Sequence, residues 1–599
     1  MRKLFYAIVL FGLIGLSGCA LNQMVKMAED QNLTVSPNPL EVHADTVAFD
    51  MSANLPVKML KKDKVYTVRT FYNYGESEVE LEAVQFRSED FPNAKEEAPQ
   101  QSKSYAFPYS PAMNPGELQV QGVASDPKNG KTKETPRMTV APGLITTSKM
   151  VIPVAYAAEA DHGYNNQEEL IPTRVNFYFN QGSSVLRSSE RSGDMGKKLD
   201  AYIAAKNLTR TVTITGTHSP EGPERVNSNL AKNRAQAIES FYRREMDKYD
   251  YEGKADSINF IIKDVVEDWT VFKDSLALYD GLSSEEKSAW LNIINAGGTY
   301  EQVEDKLHTL PTYNKVFREL YPKLRTAKTE ILTVKEKKTD AEIAVLAKQV
   351  VGGSVSADTL SAEEMMYAAS MTPSLSEKEA IYKAAIQKED SWNAHNNLAA
   401  TYIAMANQNP SRRAEYMEMA ETQLEIAANQ NPTAEVHGNL ASVALANGNP
   451  YKAHEHVTKA LSMSPSNEVT QGLNGVKGAA EIMMADYTSA QTTLANATQT
   501  KENVFNKALA QVLDKRWPQA YETLRGEYTN TYGSEKDEMY GKAAYLTAIV
   551  AARRQAGEDD IATILKEAFS ADPSLKEKAM NDLEFLQYRS YPQWTDAMK

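Results

Sequence analysis

Hydrophobic and polar positions change period along the chain. Between residues 33 and 153, apolar and polar residues alternate in short runs at 46–49, 65–72, 79–85, 118–123 and 149–152. A period of two puts one face of a strand inward. Breakers separate the runs: Ser36, Pro37, Asn38 and Pro39; Asn114, Pro115 and Gly116; Asp126 to Gly130. Short strands at regular spacing predict an amino-terminal antiparallel β-sandwich over 33–153. Residues 154–170 are small, polar and acidic, and read as a linker.

Between 171 and 338 the two periods take turns. Val175, Phe177 and Phe179 alternate, then Met195, Leu199, Tyr202 and Ile203 recur at helical spacing. Val212 and Ile214 alternate up to Gly216, and a polar turn with Ser219, Pro220 and Gly222 follows. Leu230, Arg234, Ala237, Ile238 and Phe241 make a second helical face. Ile258, Phe260 and Ile262 predict a third strand, and 328–334 a fourth. The intervening stretch, about 268–322, is mostly helical, with Ser283 and Glu286 at capping-box spacing. The prediction for 171–338 is a central α+β domain of βαβαββ plan with a helical insertion before its last strand.

From 339 to 599 strand signals vanish and Ala-rich helical patterns take over. Leu440, Ala441, Ala453, Val457, Ala460 and Pro465 hold the spacing of a ~34-residue repeat. Leu398, Ala399, Tyr402, Ala420, Leu424, Ala427 and Pro432 hold it again, with extra residues near 407–413. Looser copies carry Gly478, Ala490, Leu494 and Ala497, then Ala508, Ala520 and Leu524, then Tyr545, Leu565, Ala568 and Pro573; residues 377–386 supply a half-motif. Small residues let paired helices approach, and each proline stops the second helix of a pair. The pattern resembles the tetratricopeptide (TPR) repeat. It implies a carboxy-terminal all-α solenoid with a concave face for a protein partner.

The stretch from 211 to 242 resembles the carboxy-terminal domain of the OmpA-like (peptidoglycan-associated) family. Gly216, Gly222, Asn227, Leu230, Arg234 and Ala235 fall on that family's positions in register. Thr217 and His218 stand where the family has His-Thr, and Ser219 stands where it has Asp. In the family, that Asp and the Arg hold the two ends of the diaminopimelate zwitterion of the cell wall. The resemblance implies a ligand pocket at Thr217, His218, Ser219, Glu221, Asn227 and Arg234. Peptidoglycan binding is weakened by Ser219, with Glu221 the nearest substitute carboxylate.

The amino terminus has Arg2 and Lys3, an apolar run from 4 to 16, then small residues, the layout of a secretory signal over 1–18. Leu16, Ser17, Gly18 and Cys19 resemble the lipobox of bacterial lipoproteins, and Cys19 is the only cysteine. The resemblance implies acylation of Cys19 with palmitate-class chains and a lipid-anchored tether over 19–32. Ala20, Leu21, Asn22 and Gln23 follow the cysteine, with no Asp directly after it and no acidic run. That implies anchorage in the outer membrane with the body facing the periplasm. One cysteine excludes an internal disulfide framework. A net charge of −14 gives no basis for nucleic-acid binding. The eight histidines are scattered and join no catalytic or metal-binding constellation, so neither enzymatic activity nor a cofactor is expected. These readings add up to a multidomain periplasmic scaffold lipoprotein serving an envelope protein complex for secretion or outer-membrane assembly. A structural tether between outer membrane and peptidoglycan is the alternative.

Overall fold

The computed structural model of the chain describes residues 20–249, 251, 254–263 and 269–599. Cys19 and the signal segment lie outside them. The chain forms two compact units: the chain up to Tyr164 with Asp340–Lys599, and Asn165–Thr339 between them. The β domain and the helical repeats thus share one unit, and the central domain is an excursion from it.

Residues 20–27 form helix α1, whose Leu21 and Met24 are fully buried in the β-domain core. The expected tether is therefore packed structure from Leu21 onward. Ten strands follow: β1 (Asn32–Ser36), β2 (Leu40–His43), β3 (Thr46–Asn54), β4 (Val65–Tyr74), β5 (Ser77–Arg87), β6 (Gln100–Pro108), β7 (Glu117–Asp126), β8 (Lys131–Glu134), β9 (Met138–Ala141) and β10 (Leu144–Ile145). In one sheet β3 pairs with β1, β2 and β6; in the other the order is β5-β4-β7, with β8 and β9 on β7. Val47, Phe49, Met51 and Ala53 of β3 and Tyr66, Val68 and Tyr72 of β4 point into one core, as alternation requires. The all-antiparallel expectation needs one correction, since β10 pairs with β2 in parallel. The strand expected over 149–152 is also absent. Thr147–Met150 is a 3₁₀ turn, and the extended chain after it bonds to helix side chains, not to a sheet.

The second unit runs β11 (Leu170–Tyr178), α2 (Asp194–Ala204), β12 (Thr209–Gly216), α3 (Glu224–Met246) and β13 (Asn259–Lys263). Then come α4 (Thr270–Ala277), α5 (Ser284–Asn295), α6 (Tyr300–Leu307), α7 (Tyr313–Glu319) and finally β14 (Thr326–Val334). The sheet order is β11-β14-β12-β13. The Ser283–Glu286 capping box forms, and Thr299 and Gln302 make a second. The inserted helices bury their own aromatic core around Phe272, Trp290, Tyr313 and Tyr321. Gly216 is required where β12 meets α3, since a Cβ there would lie 1.8 Å from the Ala231 carbonyl oxygen. Because β11 and β14 are antiparallel neighbours, with Leu170 opposite Val334, the chain enters and leaves this unit side by side.

The carboxy-terminal region is a stack of helical repeats. After α8 (Asp340–Val351), α9 (Ala362–Met371) and α10 (Leu375–Lys388), five pairs follow: α11 (Trp392–Gln408) with α12 (Arg413–Gln430), α13 (Ala434–Ala446) with α14 (Pro450–Ser462), α15 (Asn467–Met483) with α16 (Tyr487–Ala495), α17 (Lys501–Leu513) with α18 (Trp517–Glu522), and α19 (Glu538–Arg553) with α20 (Glu558–Ala571). The first helices begin 42, 33, 34 and 37 residues apart, the period of the repeat. Asn449, Ser466, Asp486, Thr500 and Asp537 cap helix starts by accepting from the amide three residues on, worth about 1 kcal/mol each. Ala441, Ala453, Val457 and Ala460 are buried between helices. His456 turns to His437, Nδ1 to Nδ1 at 3.2 Å, whereas His454 faces Glu481 at 3.7 Å.

Candidate functional site

The family-like loop of the second unit brings its six residues together, but they bond to one another and to the insertion. The Thr217 hydroxyl donates to the Leu324 carbonyl at 2.6 Å. Asn227 Nδ2 donates to the carbonyls of Glu221 and Gly222, pinning the turn. His218 is buried, its Nδ1 3.0 Å from the Ser219 carbonyl oxygen and its ring edge-on to Tyr300 of α6. Arg325, just before β14, donates from Nε to Ser219 Oγ at 2.9 Å and from Nη2 to Glu221 Oε1 at 2.7 Å. An arginine of this chain thus occupies both Ser219 and the carboxylate expected to substitute for the missing Asp.

Arg234 is 1% exposed. Its Nε, Nη1 and Nη2 donate to the carbonyls of Ser183, Thr217 and Asn180 at 3.0, 2.8 and 3.2 Å. Burial, and secondarily the Arg325 charge, lower its pKa to about 10, with Glu221 opposing. A guanidinium spent on three main-chain carbonyls locks the loop; it does not present the open fork that grips a carboxylate. Glu304 of α6, buried beside this cluster, accepts from the hydroxyls of Tyr313 and Tyr321 at 2.6 and 2.7 Å. Burial pushes its carboxyl above the usual range.

The stretch read as a linker holds a second, unexpected site. Residues 152–160 are not free chain; they lie extended across the first helices of four successive pairs. Asn506 of α17 accepts from the Ile152 N–H at 2.9 Å and donates to its carbonyl at 2.8 Å. Ser442 of α13 does the same for Tyr156, at 3.1 and 2.7 Å. Asn439 of α13 clamps Ala158 at 2.7 and 2.8 Å, and Asn397 of α11 clamps Ala160 at 2.6 and 2.9 Å. Asn396 adds a bond to the Ala158 carbonyl at 2.9 Å. A side-chain amide offers one acceptor and a donor on the same plane, so it imitates a neighbouring β-strand. The clamped residues are even-numbered because an extended chain turns alternate residues to the same side.

Asn397, Asn439, Gly472 and Asn506 are each the sixth residue of their helix. At three of these positions an asparagine reads the main chain. At the fourth, the Tyr156 ring fills the space, and a Cβ on Gly472 would lie 2.4 Å from it. Ala158 is fully buried and Ala160 nearly so. Eight clamping bonds at ~1 kcal/mol net each are comparable to the cost of ordering this short segment, ~1 kcal/mol per residue at the low end. The margin comes from burying Ala158 and Ala160 and half-burying Val154 and Tyr156. The strap therefore fills the face that the repeats were expected to leave for a partner. The signal for it was present as asparagines at one repeat position inside otherwise apolar helical faces.

A buried ion pair closes the strap's amino-terminal end. Arg553 of α19 donates to Glu584 at 2.7 Å and reaches Glu41 of β2 at 3.4 Å, while Thr147 also bonds Glu584. Among the described residues no group of three or more His, Cys, Asp and Glu could hold a metal, and no helix is long and apolar enough to cross a membrane.

No protein-family model matches the chain, and no curated protein matches it. Three solved structures align with it loosely. A crystal structure of the APC/C hetero-tetramer Cut9–Hcn1 aligns at 14% identity and a TM-score of 0.32, covering 62% of this chain and 64% of that one, under two thirds of its length. A family 76 glycoside hydrolase from a bovine Bacteroides thetaiotaomicron strain aligns at 8% identity and a TM-score of 0.19, covering 77% of this chain and 99% of that one. Salmonella alpha-2-macroglobulin reacted with methylamine aligns at 10% identity and a TM-score of 0.15, covering 87% of this chain and 27% of that one. Likenesses this loose carry no argument, so the repeat assignment rests on the helix pairing, the period and the caps of this chain.

Proposed function

We propose that the chain is a periplasmic scaffold lipoprotein, anchored in the outer membrane through Cys19, that binds protein partners and serves a multi-protein envelope machine. The observation that carries the protein-binding part is the row of buried amides on the first helices, a surface built to hold an extended polypeptide by its main chain. The βαβα-β-helices-β plan of residues 165–339 supports the OmpA-like reading of that unit. Arg325 seated on Ser219 and Glu221, and Arg234 spent on carbonyls, favour protein docking over wall binding. They count against the plain wall tether. Affinity capture of the full chain from detergent-solubilised membranes is the test of the scaffold reading. Stoichiometric partners are expected; recovery of the chain alone overturns it. For the anchor, Cys19→Ser should release the protein from the membrane fraction and remove lipid label, and unchanged fractionation with label retained refutes it.

A further inference from the structure

Resting on the scaffold reading, we propose that the first-helix face is a peptide receptor occupied in cis. Residues 152–160 are its resident ligand, and a partner's extended segment with small side chains at two alternate positions takes their place in trans. Three features of the site support exchange over a permanent tie.

The first is what the site reads. Ile152, Tyr156, Ala158 and Ala160 are each gripped through both main-chain groups by Asn506, Ser442, Asn439 and Asn397. Main-chain bonds of this kind give affinity without demanding a sequence. Selection enters through side chains: Ala158 and Ala160 are buried, Tyr156 lies against Gly472, Ile152 and Val154 pack on the repeat cores, and Glu159 pairs with Lys378 at 2.8 Å.

The second is what the face becomes when the strap leaves. An apolar groove left open is an aggregation hazard. The asparagines and Ser442 are rehydrated when the strap leaves, whereas the apolar positions under Ile152, Val154 and Tyr156 need an incoming segment to cover them, which favours direct handover to a partner.

The third is the geometry of the occupant. The strap is continuous at both ends with folded chain, β10 before it and β11 after it. Its effective concentration at the face is therefore high, and a free peptide competes poorly with it. A partner that binds elsewhere on the protein supplies its own segment at comparable effective concentration. Exchange is thereby reserved for partners that dock at more than one place.

The test uses the full chain and a fluorescein-labelled synthetic peptide with the sequence of residues 150–164, followed by anisotropy. Two strap variants open the face: Ala158→Pro with Ala160→Pro, which removes two clamped N–H donors, and Ala158→Trp, which does not fit. Both should keep the helical circular dichroism of the wild type and bind the peptide at least about tenfold more tightly than it does. Adding Asn397→Ala and Asn506→Ala to either should weaken that binding by about tenfold or more. A peptide altered at the position of 153 should bind within about threefold, whereas Glu159→Lys, which sets two cations together at Lys378, should weaken binding. One N-methylated at the positions of 156, 158 and 160 should not bind. The proposal is overturned if folded strap variants bind no better than wild type, or if the asparagine substitutions leave binding unchanged. Loss of the helical signal in both variants also overturns it, since the strap would then be an integral part of the core. Peptide exchange with no partner on affinity capture would sink the envelope-scaffold reading and leave the receptor standing; the converse would do the opposite.

Discussion

Asn439→Ala removes one of the clamps on the strap, and its cost can be worked out bond by bond. Oδ1 loses the Ala158 N–H at 2.7 Å, and Nδ2 loses the Ala158 carbonyl at 2.8 Å and Asn396 Oδ1 at 3.0 Å. Each bond is worth about 1 kcal/mol net. The Ala158 carbonyl keeps Asn396 Nδ2 at 2.9 Å, but its N–H, on a fully buried residue, is left without that acceptor. The total is about 3–4 kcal/mol, or roughly a hundred- to thousandfold in the equilibrium for lifting the strap. The measurement is amide hydrogen exchange by NMR on the full chain. Protection at Ala158 and Ala160 should fall by that factor while Val68 in β4 holds its rate. Asn447→Ala, at an exposed position at the end of α13, is the control. If Ala158 protection changes less than about tenfold, the main-chain clamps do not hold the strap and the reasoning is refuted.

Arg234→Leu should destabilise residues 165–339 by several kcal/mol, because three charge-assisted bonds to carbonyls vanish together. Arg234→Lys should rescue little, since one ammonium cannot span three carbonyls, and a thermal midpoint for the unit within about 2 °C of wild type for Arg234→Leu would refute the lock. Ala453→Glu places a carboxylate at a fully buried position between α13 and α14. It should melt the neighbouring repeats at a cost of several kcal/mol, read by denaturant titration. The His437–His456 pair gives a pH dependence. Burial, Lys459 and His456 lower His437 to about 4, and burial with Lys452 lowers His456, against Glu455. A histidine depressed in the folded state contributes stability that is fully present above its unfolded value near 6.5 and is lost as pH falls from there towards about 4. His437→Gln should flatten the stability curve in that window, and a wild-type curve already flat between pH 6.5 and 4.5 would refute it.

The repeats were legible because their signal is local and periodic. Leu440, Ala453 and Pro465 mark one pair, Leu398, Ala420 and Pro432 another, and both pairs fold as those positions require. The βαβαβ–helices–β order of the second unit was legible for the same reason, through Val175, Phe177, Val212 and Ile214. The strap was not. Its partners stand between 237 and 354 residues away, and a main chain gripped by side chains leaves no hydrophobic period behind. Small residues that let Asn439 and Asn397 come close look in sequence like those of a free linker. The 149–152 run misled for a related reason: Lys149 and Met150 end a 3₁₀ turn, and only Ile152 of the run is clamped, by the Asn506 side chain and not by a strand. Arg325 was also invisible as the partner of Ser219 and Glu221. The whole helical insertion separates them in sequence, and only the fold brings the residue before β14 back to the loop after β12.

The long separation between the strap and its clamps also sets an order of events whenever the chain emerges amino end first, as across a membrane. Ile152 then precedes Asn506 by 354 residues. Throughout that interval the β strands before it and the β-α unit after it can complete their own hydrogen bonding, while the segment between them waits for helices not yet made. A waiting segment of Val, Ile and Phe would invite pairing with any exposed strand edge. The strap sets Pro153 between its β-branched residues Ile152 and Val154 and follows them with alanines and Glu159, which lowers that tendency. The strap's plain composition is thus suited to delay as much as to fit: it stays uncommitted until Trp392–Leu513 has emerged and folded around it.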